Sequence, residues 1–227
     1  MGVPLPRAPW LTDTGLRSRS AGAINDLARL RDPTLWHHPL LRHGFPRPVY
    51  ADLERLAGER ERFLAAETRL VRTFCHLDAW HGNMAAVTAA NGADVTVLFD
   101  WALAGYGAPG AEISNIVWTS LLEFKLDIQE AERLEAAVLH SYLEGLANAG
   151  WHGDSRLVRC AYLISSVLLF GLVPEGVDHA LQADQHTTLE RQYGWPIEQL
   201  VKQAAAVTYR LLSRADELRR LLDSLSW

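Results

Sequence analysis

His76, Asp78 and Asn83 stand close together in the segment Phe74-Cys75-His76-Leu77-Asp78-Ala79-Trp80-His81-Gly82-Asn83, and a further aspartate, Asp100, ends the run Leu98-Phe99-Asp100-Trp101. Gathered at one mouth, two carboxylates and a carboxamide suit phosphoryl transfer. Mg²⁺ takes hard oxygen ligands, usually only one or two carboxylates, and leaves the rest of its octahedron to water and substrate phosphates. A separate carboxylate has to orient the attacking hydroxyl and accept its proton. One aspartate for the hydroxyl, with one aspartate and one asparagine for the metal, meets both demands.

Short extended runs must position these groups. Val71 to Cys75, Met84 to Val87 and Val95 to Phe99 read as strands, and Asn91-Gly92 between the last two is a hairpin turn signal. Helical periodicity surrounds them. Ala21 to Arg31 and Pro48 to Leu70 carry apolar residues at helical spacing, and Asp32-Pro33 starts a short helix between them. After Pro109 the helices expected are Ala111 to Lys125, Ile128 to Ala149, Ser155 to Phe170, Gln199 to Ser213 and Ala215 to Leu225. The fold class expected is α+β, mostly α-helical, with one small β-hairpin. Residues 1–20 hold Pro4, Pro6 and Pro9 without periodicity and read as a loose leader, so the folded unit is expected over 21–227.

Composition sets the outer limits. The chain has 227 residues, 48% hydrophobic and 22% charged, enough to bury a core. A net charge of -5 argues against a nucleic-acid partner and suits a cationic or neutral one. The longest apolar stretch, Cys160 to Val173, is interrupted by Ser165, Ser166 and Gly171 and is too short for a membrane span. Cys75 and Cys160 have neither metal-ligand spacing nor the density of a disulfide scaffold, which makes the cytoplasm the expected location.

Several residues invite a functional reading that their context does not support. His152-Gly153-Asp154 duplicates a His-Gly-Asp pattern, but Arg159 rather than Asn stands five residues on, and Asp154 reads as a helix N-cap. His37, His38 and His43 lack ligand-spaced partners and read as packing or surface residues. Trp118, Phe124, Tyr142, Tyr162 and Phe170 read as core, while Trp80 and Trp101 flank the proposed site.

The pattern His76-x-Asp78 followed by Asn83, with Phe99-Asp100-Trp101 after a hairpin, resembles the aminoglycoside phosphotransferase and choline kinase superfamily, whose catalytic loop is shared with protein kinases. Ala104 to Glu112 is similar to that family's passage into the next helix. The resemblance implies the C-terminal lobe of a protein-kinase-like phosphotransferase, with catalytic loop 76–83 and metal strand 95–101. It implies Asp78 as catalytic base, His76 as a brace of the loop, and Asn83 and Asp100 as Mg²⁺ ligands. ATP and Mg²⁺ are the cofactors it implies, and a small-molecule alcohol, cationic if acidic helices receive it, is the implied substrate. The residues that hold the nucleotide are not assigned.

Three departures stand out. Leu77 replaces the family's usual Gly, and Ala108 with Glu112 stands where two aspartates are common. The chain also shows no β-lobe, no glycine-rich loop and no lysine before Lys125. A C-terminal lobe alone, truncated from a kinase, is the expectation, with a non-catalytic binding module as the rival. Asp78, Asn83 and Asp100 are then expected to open to solvent beside an apolar surface that a partner, self-association or an upstream lobe covers.

Overall fold

A computed structural model describes residues 8, 10, 11, 15–25 and 27–225. The chain begins with α1 (Gly15–Asn25), α2 (Pro39–Gly44), α3 (Tyr50–Gly58) and α4 (Arg60–Glu67). Four strands follow: β1 (Thr73–Cys75), β2 (Met84–Thr88), β3 (Asp94–Leu98) and β4 (Gly105–Gly107). The rest is helical: α5 (Ile113–Leu122), α6 (Ala131–Asn148), α7 (Ser155–Leu169), α8 (Glu175–Leu181), α9 (His186–Tyr193) and α10 (Ile197–Ser224). The mostly helical α+β class therefore holds. Among the described residues no helix is long and apolar enough to cross a membrane.

The apolar run read from Cys160 forms the middle of α7, where every residue from Cys160 to Leu168 is buried. Asp154 starts this helix by accepting a hydrogen bond from the Arg156 amide at 2.9 Å, the N-cap expected of the second His-Gly-Asp. Helix α10 packs along α7 and α8 and also meets α2, α3 and α5. Trp118 and Tyr162 are fully buried, while Phe124, Tyr142 and Phe170 are half-buried against the same core. His37 and His43 are exposed and His38 is half-buried.

Several boundaries differ from those read in the sequence. Residues 15–20, assigned to a loose leader, begin α1, and Ser20 is fully buried, with its hydroxyl accepting from Arg60 Nε at 3.0 Å. The remainder of that leader, residues 1–7, 9 and 12–14, lies outside the described residues. The two helices expected on either side of Arg214 are one, α10, because Arg214 turns inward to Glu135 instead of marking a break. Helices α8 and α9 had no clear periodic signal. Strand β4 carries no strand signal either, so two two-stranded antiparallel sheets stand where the sequence predicts one hairpin.

These sheets place the chemistry. The pairing Thr73↔Gly107, Phe74↔Tyr106 and Cys75↔Gly105 clasps the strand entering the candidate loop to the strand leaving it. Between the clasped ends, β2 and β3 pair from Met84↔Leu98 to Thr88↔Asp94. Gly92 closes the hairpin with φ of 80°, a conformation glycine adopts without steric cost.

Candidate active site

His76 ties the site together. It is 2% exposed, and its Nδ1 accepts from the Asp78 amide at 3.3 Å. The other nitrogen, Nε2, therefore carries the proton and donates to the Phe99 carbonyl at 2.9 Å. One ring thus joins the loop bearing Asp78 to the residue before Asp100. The Asn83 carbonyl accepts from the Phe99 amide at 3.1 Å and adds a second tie between the same segments.

Asn83 Nδ2 donates to the Asp78 carbonyl at 3.0 Å and to Asp78 Oδ2 at 2.9 Å. Both amide hydrogens are engaged, which leaves Oδ1 as the atom a hard cation can use. Asp100 adopts a left-handed backbone, φ 58° and ψ 68°, and its Oδ1 accepts only a long 3.4 Å bond from the Ala102 amide. Asp100 is exposed and Asp78 half-buried, but Asn83 is only 7% exposed. The expectation that all three open to solvent fails for Asn83, because its amide turns into the loop to reach Asp78. Among the described residues no three His, Cys, Asp or Glu side chains converge as a metal site. An asparagine oxygen and one free carboxylate nonetheless fit Mg²⁺, which needs few protein ligands when phosphates supply the rest.

Glu112, noted above only as a departure, is a positioning residue. Its Oε2 accepts from the His76 amide at 2.8 Å, and burial lifts its carboxyl above the ordinary range against the pull of the His76 and Leu77 amides. Leu77 itself has φ 60°, the left-handed region where a side chain is strained. Its carbonyl is gripped by Asn115 Nδ2 at 2.9 Å and Arg19 Nη1 at 3.1 Å. These partners lie far away in sequence, so no local pattern announces them. Glycine is ordinarily worse than alanine by up to about 1 kcal/mol, but it relieves a left-handed strain of about 1–2 kcal/mol. Leu77→Gly is therefore expected to unfold at higher urea than Leu77→Ala; the usual order would count against strain at this position.

An acidic and aromatic wall adjoins the loop. His81 Nε2 lies 3.2 Å from Glu123 Oε2, at the end of α5, and Trp80 meets the His81 ring edge-on at 4.9 Å. Phe124 packs on Tyr193 at 4.9 Å. Burial, with Asp178 and Glu123 nearby, pushes Glu175 up to about 7. The folded chain then holds the Glu175 proton more tightly than the unfolded one, so stability falls as pH rises from about 4.5 through 7. Glu175→Gln is expected to be more stable than the parent at pH 8 and to match it near pH 4.5. Thermal midpoints across that range measure the difference, and a gap independent of pH would reject it.

The family model described as "Phosphotransferase enzyme family" (APH) matches residues 6–153, more than half of the chain. The chain belongs to this phosphotransferase family. No curated protein and no solved structure shows a significant match to it. The matched region contains α1 to α6 and all four strands, and so includes His76, Asp78, Asn83, Asp100 and Glu112. Cys75 and Cys160 are buried with free thiols, and burial pushes each up to about 12, which disfavours the thiolate at neutral pH.

Proposed function

We propose that the chain carries the kinase-like lobe of an ATP- and Mg²⁺-dependent phosphotransferase acting on a hydroxyl of a small cationic alcohol. The observation that carries this reading is the Asn83 to Asp78 hydrogen bond at 2.9 Å beside Asp100, with His76 joining the two segments. Asp78 orients the hydroxyl and accepts its proton. Asn83 Oδ1 and the Asp100 carboxylate hold the metal, which when bound neutralises phosphate charge. His76 and Glu112 keep the loop in register. In this reading catalytic loop 76–83 and metal strand 95–101 belong to one lobe, working in the cytoplasm, where Cys75 and Cys160 stay reduced.

Glu123 and Glu175 with Tyr193 and Phe124 suit an ammonium group, since carboxylates and aromatic faces both attract cations. The nucleotide is read onto another surface. Val87, Val95, Val97 and Phe99 share one face of the hairpin and are each more than 40% exposed, and Phe74 stacks on Trp101 at 5.8 Å beside them. This apolar face leads to Asp100 and forms one wall of the nucleotide cleft.

The same exposed face, with no lysine before Lys125, favours a second reading as a binding module whose face meets a partner protein or a second copy. Thermal unfolding with ATP and Mg²⁺ decides between them. Ligand at about 100 times its Kd stabilises the native state by about 2.7 kcal/mol. A raised midpoint that Asp100→Ala abolishes is the result expected of the phosphotransferase. No shift at millimolar ATP would leave the binding module.

A further inference from the structure

A separate pocket lies behind the catalytic loop, and neither Asp78, Asn83 nor Asp100 lines it. Its volume is about 270 Å³. Cavities of about 150 Å³ lined by aliphatic side chains already admit benzene, and drug-sized pockets begin near 300 Å³, so this one suits a single substituted ring. Leu16 from α1, Leu77, Leu103 and Leu169 from α7 supply apolar walls, and Trp10 stands at the border.

Polar atoms in this pocket are few and placed. Ser165 is 3% exposed, lines the pocket and makes no hydrogen bond to the protein, whereas the adjacent Ser166 turns its hydroxyl back to the Tyr162 carbonyl at 2.7 Å. The Ser165 hydroxyl opens onto the pocket, where a ligand can donate to it or accept from it. Asn115, 2% exposed, spends its Nδ2 on the Leu77 carbonyl, and its Oδ1 remains as an acceptor. Ser18 and Arg19 also line the pocket, and its charged groups already have partners: Glu112 the His76 amide, Glu67 Arg72 at 3.3 Å, and Arg19 the Leu77 carbonyl at 3.1 Å. The pocket therefore offers a neutral ligand one donor and acceptor at Ser165 and one acceptor at Asn115.

We propose that this pocket is a second binding site, distinct from the phosphoryl acceptor site, for a small neutral hydroxylated ring held by Ser165 and Asn115 among Leu16, Leu77, Leu103 and Leu169. Leu77 precedes Asp78, and Leu103 follows Asp100 by three positions, so an occupant packs against residues that adjoin both carboxylates in the chain. Binding here stands whether or not the chain transfers phosphate.

The probe is 4-ethylphenol, with ethylbenzene as the comparator that lacks the hydroxyl, and leucine methyl signals in solution report the position. Saturable binding that shifts the Leu16, Leu77 and Leu103 methyls is expected, about fivefold tighter for the phenol than for ethylbenzene. Ser165→Ala is expected to erase that preference. Leu103→Trp, at a position 42% exposed and so safe for folding, is expected to block entry, and Asp78→Asn to bind as the parent does. Absence of saturable binding, equal binding by Leu103→Trp, loss of binding in Asp78→Asn, or shifts centred on Glu123 and Tyr193 would each overturn the proposal.

Discussion

Asp78→Asn is expected to slow ATP-dependent phosphorylation by about 10²- to 10⁴-fold, the range a positioned general base contributes. The substitution keeps the shape of the side chain and an oxygen that can still accept from Asn83 Nδ2, now 2.9 Å from Asp78 Oδ2. Folding should therefore survive, and the urea midpoint should move little. Single-turnover transfer of labelled phosphate to an accepted alcohol, compared with that midpoint, separates loss of chemistry from loss of structure. Retention of the parent rate by a folded Asp78→Asn protein would remove Asp78 from the reaction.

The largest stability effect is expected far from the site, at Glu135 on α6. This carboxylate is 4% exposed and receives Arg210 at 3.0 Å, Arg214 at 2.6 Å and the Tyr162 hydroxyl at 2.8 Å, with Arg159 at 3.6 Å. Glu135→Ala removes the carboxylate that all three guanidinium groups share; Arg159 and Arg214 keep Glu217, at 2.7 and 3.2 Å, while Arg210 loses its partner. Breaking a buried pair in this way costs about 3–5 kcal/mol, against a total of about 5–15 kcal/mol for an ordinary domain. Burial alone would raise the Glu135 carboxyl, but the bond and charge of Arg214, with Tyr162 and Arg159, bring it below the ordinary value. Its stabilisation is thus present above about pH 4.5 and lost as pH falls through the lower folded value. Urea unfolding at pH 7 and pH 3 should show a wide gap between parent and variant that narrows in acid. An equal gap at both values would mean that the loss is one of packing, not charge.

How much of this was legible depended on whether the partner of each residue lay nearby in sequence. His76, Asp78 and Asn83 share one loop, and Asn91-Gly92 marks the hairpin that brings Asp100 back, so residue types and order were enough to nominate the site. Asp154 was readable as a cap for the same reason: its acceptor role reaches only to Arg156. Strand β4 was not readable, because two of its three residues are glycines and its extended form comes from pairing with β1. Glu112 stood in view as a departure, but its hold on the His76 amide joins the start of α5 to the loop, and no periodicity encodes that contact. Arg214 looked like a joint between helices until the buried Glu135 gave its side chain a partner. The candidate site was therefore visible in local order, while the groups that brace it belonged to tertiary packing.

Helix α10 runs for 28 residues, about 42 Å at 1.5 Å per residue, and meets α2, α3, α5, α7 and α8. During synthesis all five of those helices are joined to the chain before the first residue of α10. Their buried faces, including those of Leu41, Leu53, Val117 and Val177, must wait as nascent chain for a partner encoded after residue 196. At bacterial-to-eukaryotic elongation rates of about 5–20 residues per second, α10 alone takes roughly 1.4–6 seconds to make. Through that interval the earlier helices present apolar surface that α10 later covers, the transient exposure that makes a partly made chain prone to aggregation.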